Sequence, residues 1–195
     1  MSTVIQPQSR SVEEYLESEL LAGVKHEYLA GQVLAMGGAS DRHGLIVTSL
    51  SALLLPHARS KGCQLFSSDM KVRIDHQGDS WFYYPDLVLS CDPSDRESPH
   101  YRRNPCLLVE VLSPSTEHID SREKLLAYRL IPRLREYLML RQDHAQADLY
   151  QRGEDGRWQH LRVANADDVL RLSCLDAQLS LQDIYADLPE AFAAS

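Results

Sequence analysis

Apolar positions along the chain follow helical spacing in some stretches and strand-like spacing in others. Apolar residues three and four apart predict helices over residues 11–21, 41–60 and 120–130, and a short helix or turn over 179–184. Apolar runs bounded by turn residues predict strands. These cover residues 27–29, 32–36, 63–66, 70–75, 82–90 with an interruption at Pro85-Asp86, the run between Pro105 and Pro114, 135–140, 147–152, 157–163 and 169–172. The order of these elements predicts an α/β or α+β sandwich with a mixed sheet.

Length and composition predict one domain. The chain has 195 residues, and we expect a single domain over residues 11–188 with tails at 1–10 and 189–195. It has no apolar run long enough to cross a membrane, and its polar start does not resemble a secretory signal. We therefore expect a cytoplasmic protein with no membrane partner.

The cysteines do not show the spacing of a zinc site. No C-x-x-C pair is present, and two of the four residues stand at the ends of predicted strands. We therefore expect packed, reduced thiols. The four residues are Cys63, Cys91, Cys106 and Cys174.

The formal net charge of −8 argues against a protein that binds nucleic acid by a positive surface alone. The basic residues are nevertheless uneven, because nine of the twenty lysines and arginines lie between Arg96 and Arg141. They form either ordinary solvated faces or a local basic rim around an acidic site.

One carboxylate stands out, because Glu110 lies in the middle of an apolar run that is typical of a strand buried on both faces. Burying a lone carboxylate costs several kcal/mol or forces it to bind a proton. The sequence therefore predicts a partner for Glu110, either a basic side chain such as an arginine or a metal ion.

A second acid precedes another apolar strand at Pro85-Asp86. Asp86 and Glu110 on neighbouring strands would repel each other, and a hard cation such as Mg²⁺ would remove that repulsion. Lys124, in the helix that follows, is the best candidate to stabilise negative charge in a transition state. Taken singly, Asp86 is also compatible with a turn and Lys124 with a solvated helix face.

At these residues the chain resembles the Uma-type restriction endonucleases, a branch of the PD-(D/E)XK nuclease superfamily. The resemblance extends over most of residues 11–175. It rests on Tyr84-Pro85-Asp86, Leu108 to Thr116 (LVEVLSPST), Asp120, Lys124, Tyr128, His26 to Gly31, His43 and Glu136 to Leu138. It implies a restriction-endonuclease-like fold, with a central mixed β-sheet flanked by helices. It also implies a Mg²⁺-dependent DNA endonuclease, in which Mn²⁺ can substitute for Mg²⁺ and in which Asp86 and Glu110 bind the metal.

The resemblance also assigns further residues. Glu27 matches an additional family acid that holds a second metal or its water. His43 and Tyr28 match family positions and are candidates for contact with phosphate or substrate. The wider superfamily places a lysine two residues after the strand acid, where this chain has Leu112. Lys124 is expected to take that role from the following helix.

Three hypotheses follow for the activity. The first is a DNA endonuclease that uses Asp86, Glu110 and Lys124 with Glu27 in support, and a homodimer is plausible for cutting both strands. The second is a catalytically silent binding or regulatory module with the nuclease fold. The third is a metal hydrolase that acts on a small phosphate ester.

Overall fold

The computed structural model of the chain describes residues 9–113 and 120–192, and of Asp120 and Ser121 it describes the backbone only. The helices are α1 (Val12–Leu21), α2 (Asp41–Ser60), α3 (Asp120–Arg129) and α4 (Leu181–Ile184). The strands are β1 (His26–Leu29), β2 (Gln32–Ala35), β3 (Gln64–Ser67), β4 (Lys71–His76), β5 (Asp79–Tyr83), β6 (Leu87–Ser90), β7 (Tyr101–Arg102), β8 (Leu107–Leu112), β9 (Glu136–Arg141), β10 (Ala147–Arg152), β11 (Trp158–Val163), β12 (Val169–Leu172) and β13 (Ala177–Ser180). The predicted α+β architecture is confirmed.

Three details of the prediction are corrected. The stretch 82–90, predicted as one strand interrupted at Pro85-Asp86, is broken there as expected, but its two halves are separate strands that belong to different sheets. Residues 177–180, which were not predicted as a strand, form β13. The expected loose tail from 189 is instead a short 3-10 helix, Pro189–Phe192, whose buried Ala191 accepts a hydrogen bond from the amide of Ala145. Residues 1–8 of the expected N-terminal tail and most of the Ser113–Thr116 motif lie outside the described residues.

The strands form two large sheets and one hairpin. The six-stranded sheet has the order β11-β10-β9-β8-β6-β3, and the five-stranded sheet has the order β2-β1-β5-β4-β7. β12 and β13 form the hairpin. Only the β8–β9 pair is parallel within the six-stranded sheet, so that sheet is mixed as predicted.

Helix α2 and the C-terminal hairpin cover one face of the six-stranded sheet. The apolar side of α2, including Leu50 and Leu54, packs against Leu107 and Val109 of β8. Ser40 begins the helix, because its hydroxyl accepts a hydrogen bond from the amide of residue 43, which is the usual way to satisfy the first turn.

Helix α3 and part of the five-stranded sheet cover the opposite face of the six-stranded sheet. Leu108 and Leu112 of β8 face this side together with Tyr128 of α3 and Tyr83 of β5. Because side chains alternate along a strand, Glu110 faces the same way as Leu108 and Leu112. The strand that carries Glu110 is thus enclosed on both sides, as the apolar run predicted.

The prediction of reduced thiols is wrong, because all four cysteines form disulfides in the structure. Cys63 and Cys91 stand one position beyond the registered pair Gln64 and Ser90, so strand pairing brings their Cα atoms to 4.2 Å. Cys106 at the start of β8 bonds to Cys174 between β12 and β13. Both pairs are far apart in sequence, so spacing alone gave no sign of them.

A second buried acid, Glu136, lies at the start of β9 and is fully buried. Its carboxylate accepts hydrogen bonds from the amides of Ser173 and Cys174, at 2.7 and 3.1 Å, and from the side chain of Gln151 at 2.8 Å. These donors compensate the buried charge and fasten β9 to the C-terminal hairpin.

In residues 9–113 and 120–192, no helix combines the length and the apolar character that a membrane span requires.

Candidate active site

Glu110 meets its partners on α3. The side chain is 6% exposed, and its Oε1 atom accepts a hydrogen bond from the Tyr128 hydroxyl at 2.8 Å and one from Lys124 Nζ at 3.2 Å. Lys124 and Tyr128 are one helical turn apart, so α3 directs both donors at the same oxygen. The basic partner that the sequence required is therefore a lysine, and Lys124 reaches Glu110 from the helix.

The Lys124 ammonium is shared between two carboxylates. Nζ lies 3.2 Å from Glu110 Oε1 and 3.0 Å from Glu27 Oε1 on β1, and it sits 5.7 Å from the ring centre of Tyr83. Glu27 comes from the five-stranded sheet and Glu110 from the six-stranded sheet. The buried Lys124 ammonium thus links the two sheets at this point.

Burial has the largest effect on the pKa of Glu110. The pKa of Glu110 is raised from 4.5 to about 7, chiefly by loss of solvent. The charges of Asp86 and Glu27 add to the rise, and the charge of Lys124 and the Tyr128 hydrogen bond oppose it. Burial also disfavours the charge on Lys124. However, the attraction of Glu110 and Glu27 outweighs that penalty and raises the pKa of Lys124 above its ordinary value.

Asp86 lies beside Glu110 because of strand register. Leu87 pairs with Val109 in antiparallel β6 and β8, which places the residue before Leu87 next to Glu110. Asp86 Oδ2 accepts a hydrogen bond from the amide of Val111 at 2.7 Å. The carboxylate is thus fastened to the backbone of the strand that holds Glu110.

His43 completes the group from the first turn of α2. Its Nε2 atom is 3.0 Å from Asp86 Oδ1, and its side chain is 17% exposed. The hydrogen bond to Asp86 raises the pKa of His43 above 6.5, with help from the charge of Glu110 and against the effect of burial.

Replacing His43 with glutamine is expected to lower the free energy of unfolding by about 2 kcal/mol at pH 6, the scale of a hydrogen bond to a charged group. A raised histidine pKa gives stability that is fully present below 6.5 and is lost as pH rises through the folded value. The loss should therefore be smaller at pH 8. Urea unfolding at both pH values measures it, with His76→Gln at an exposed site as control. An equal loss at both pH values would contradict the Asp86 contact.

The chemistry of the site fits a hard divalent cation. Asp86, Glu110 and Glu27 supply carboxylate oxygens, which Mg²⁺ prefers, and their mutual repulsion contributes to the raised pKa of Glu110. Among the described residues, no three His, Cys, Asp or Glu side chains already stand in a metal-holding group. In this arrangement the Lys124 ammonium supplies the positive charge between Glu110 and Glu27.

Tyr28 lies apart from this group, and its role as a substrate contact stays a prediction. It is 5% exposed and packs against Tyr15 and Phe82, with ring centres 5.1 and 5.9 Å away. Its hydroxyl donates to the carbonyl of Arg10 at 2.8 Å. Since neighbours on a strand face opposite ways, Tyr28 faces α1 when Glu27 faces α3.

Two contributors were missing from the predicted site. Tyr128 hydrogen-bonds Glu110, and Tyr83 places its ring against the Lys124 ammonium. The signal for Tyr128 was its four-residue spacing from Lys124, which puts both on one face of α3. Tyr83 carried no comparable signal, because its position depends on contact between the two sheets.

Comparison with known proteins identifies the family. A family profile described as "Uma2: Putative restriction endonuclease" matches residues 12–183. The chain belongs to the Uma2 family. Among Uma2 relatives and neighbours, an uncharacterised protein of Synechocystis sp. is 39% identical over 178 residues, which covers 91% of this chain and 92% of the relative. A second Synechocystis protein, also uncharacterised, is 34% identical and covers 74% of this chain and 82% of its own length.

A solved structure shows the same fold. It is described as the crystal structure of a "putative nuclease" belonging to DUF820 from Anabaena variabilis, and it matches with a TM-score of 0.72 at 14% identity. The match covers 92% of this Uma2 chain and 98% of the other. The nuclease-like fold predicted from the sequence is thereby confirmed.

Proposed function

We propose that this chain is a Mg²⁺-dependent endonuclease that hydrolyses phosphodiester bonds in DNA, with Asp86, Glu110 and Lys124 as its catalytic core and Glu27 in support. The observation that supports this most is the buried Lys124 ammonium within 3.2 Å of Glu110 and 3.0 Å of Glu27. Three carboxylates and a lysine converge there, although the wider superfamily's lysine position holds Leu112. Membership in a family described as "Putative restriction endonuclease" supports nucleic acid as the substrate class.

Each residue has a role that follows from its surroundings. Asp86 and Glu110 would hold Mg²⁺ or Mn²⁺, and Glu27 would hold a second ion or its water. Bound there, the metal would polarise a phosphoryl oxygen and lower the pKa of a water molecule. Lys124 is positioned to stabilise the negative charge that develops on the phosphoryl group. Tyr128 orients Glu110 through its hydrogen bond.

His43 adds a group that can hold a proton at the edge of the site. It contacts Asp86 through Nε2 and is partly exposed, so it can reach solvent or a phosphate oxygen. Its raised pKa increases the protonated fraction near neutral pH. The cytoplasmic location and the homodimer remain predictions.

Nicking of supercoiled plasmid tests the proposal. The wild-type protein should nick plasmid with Mg²⁺ or Mn²⁺ and should stop when EDTA is added. Asp86→Asn should slow the reaction about a hundredfold, because an amide is a weaker ligand for a hard cation than a carboxylate. Asp69→Asn is the matched control, since Asp69 is 83% exposed and pairs with Lys25. Equal nicking by the wild type and Asp86→Asn would refute the role of Asp86.

A silent binding module is the second candidate, and one observation favours it. Lys124 already supplies positive charge to Glu110 and Glu27, so the site is partly charge-balanced without a metal. Calorimetric titration with Mn²⁺ separates the two functions. Binding that weakens in Asp86→Asn supports the nuclease, whereas no heat of binding in the wild type supports the module.

A further inference from the structure

The side of the six-stranded sheet that carries Glu110 extends outward to the edge strand β11. Glu110 is registered with Met139 of β9, Met139 with Asp148 of β10, and Asp148 with Arg162 of β11. Registered side chains lie on the same face, so this row runs from the candidate active site to the sheet edge. Three strand steps of about 4.8 Å make it about 14 Å long.

Aromatic rings form a second row beside the first. The ring of Tyr128, which hydrogen-bonds Glu110, lies 5.1 Å from that of Tyr137. Tyr137 stacks on Tyr150 at 6.4 Å, and Tyr150 stacks on His160 at 4.5 Å with an angle of 14° between the planes. The row ends at the partly exposed His160, whose side chain is 41% exposed.

Two arginines stand over the outer rings. The Arg129 guanidinium, at the end of α3, lies 5.7 Å from the ring centres of both Tyr150 and Trp158. Arg152 lies 4.8 Å from Trp158 and donates to the carbonyls of Pro132 and Arg129. Among the described residues, no carboxylate forms an ion pair with Arg129 or Arg152, and the Nε atom of each is buried without a hydrogen-bond partner.

The acid in this region is already neutralised. Asp148 is 2% exposed, and it accepts hydrogen bonds from Arg162 at 2.8 and 3.2 Å and contacts His160 Nε2 at 2.6 Å. It therefore holds Arg162 and His160 in place without cancelling the charges of Arg129 and Arg152. The turn between Arg152 and Trp158 also carries the exposed acids Glu154 and Asp155, and Arg157 pairs with Asp155. Arg129 and Arg152 therefore supply positive charge to a ring-rich surface on a chain whose net charge is −8.

We propose that this surface, the edge pad (Arg129, Tyr150, Arg152, Trp158, His160 and Arg162), binds unpaired nucleotides of the DNA strand that enters the candidate active site. Rings on which bases stack, interleaved with guanidinium groups that attract phosphates, are what single-stranded nucleic acid requires. A distance of about 14 Å is about four nucleotides along a strand. This inference rests on the proposed function and adds to it the form of the substrate.

Fluorescence anisotropy with labelled oligonucleotides tests the edge pad. The probes are a single-stranded DNA 20-mer and a blunt duplex of the same sequence, in EDTA and about 50 mM salt, where electrostatic contacts are strong. Trp158→Leu and Arg129→Gln should each weaken binding of the single strand about tenfold, the scale of one lost stacking or phosphate contact. Binding of the duplex should change less than twofold.

Arg96→Gln is the matched control, because the exposed Arg96 donates to the carbonyl of Gly62 near β3, at the opposite edge of the sheet. It should bind both probes as the wild type does, and urea unfolding should show that all variants are folded. Unchanged single-strand binding in Trp158→Leu and Arg129→Gln would overturn the proposal, as would an equal loss for the duplex.

The same measurements separate this inference from the proposed function. Because binding is measured without metal, it does not depend on cleavage. Loss of single-strand binding in the edge-pad variants of a protein that never nicks plasmid would uphold the pad and refute the nuclease. Normal single-strand binding by those variants, together with metal-dependent nicking by the wild type, would refute the edge pad and uphold the nuclease.

Discussion

Glu110→Gln is expected to slow plasmid nicking about a thousandfold and to leave the protein folded. The amide keeps the shape of the side chain but removes the charge that would hold a cation and position it against the phosphate. Rates measured with Mg²⁺ under single-turnover conditions give the ratio. Glu97→Gln, at an exposed site, is the control and should nick at the wild-type rate.

Measuring the nicking rate at several pH values gives a second test of Glu110. Burial raises the pKa of Glu110 to about 7, so the wild-type rate should rise as pH increases through 7 and the carboxylate loses its proton. A raised carboxyl pKa also means that the stability contributed by this group is fully present below 4.5 and is lost as pH rises through 7. Both dependences should flatten in Glu110→Gln. A variant that nicks at the wild-type rate would remove Glu110 from the proposed site.

Lys124→Met is expected to lower the free energy of unfolding by about 3 kcal/mol at pH 8.5. The substitution leaves the buried Glu110 and its neighbour Glu27 without their shared cation, and breaking a buried ion pair on one side costs about this much. The loss should be smaller at pH 6, because Glu110 then binds a proton and is no longer an uncompensated charge. Urea unfolding at the two pH values measures both numbers.

Lys61→Met provides the comparison for that experiment. Lys61 pairs with Asp176 at the surface, where both side chains are more than one third exposed, and such pairs contribute about 1 kcal/mol or less. If Lys124→Met were no less stable than Lys61→Met at pH 8.5, Lys124 would not be compensating the buried acids. Its place in the proposed mechanism would then also be in doubt.

The local pattern of the sequence was sufficient to predict most of the secondary structure and the residues at the centre of the candidate site. Glu110 was identified because its surroundings were too apolar for an isolated charge. Its partner Lys124 lies only fourteen residues further on, in a helix that the sequence predicted. Asp86 preceded a comparable strand, and antiparallel pairing then placed it beside Glu110.

Contacts between distant parts of the chain could not be predicted from the local pattern. The disulfides join residues 28 and 68 positions apart. The first depends on the register of β3 with β6, and the second on where the C-terminal hairpin packs, and the sequence states neither. The contact of Tyr83 with Lys124 depends on how the two sheets meet. The separation of Tyr28 from the site has a simpler cause, because strand alternation alone places its side chain away from that of Glu27.

Glu136 has a consequence for the order in which the chain can mature on the ribosome. Its carboxylate lies at the start of the strand beside the one that holds Glu110, and its amide donors are Ser173 and Cys174. Until those residues leave the exit tunnel, β9 would bury a charge without these donors. We therefore expect β9 to dock onto β8 only after residues 37 and 38 positions further along the chain have been made, although the residues of the candidate site all precede β9.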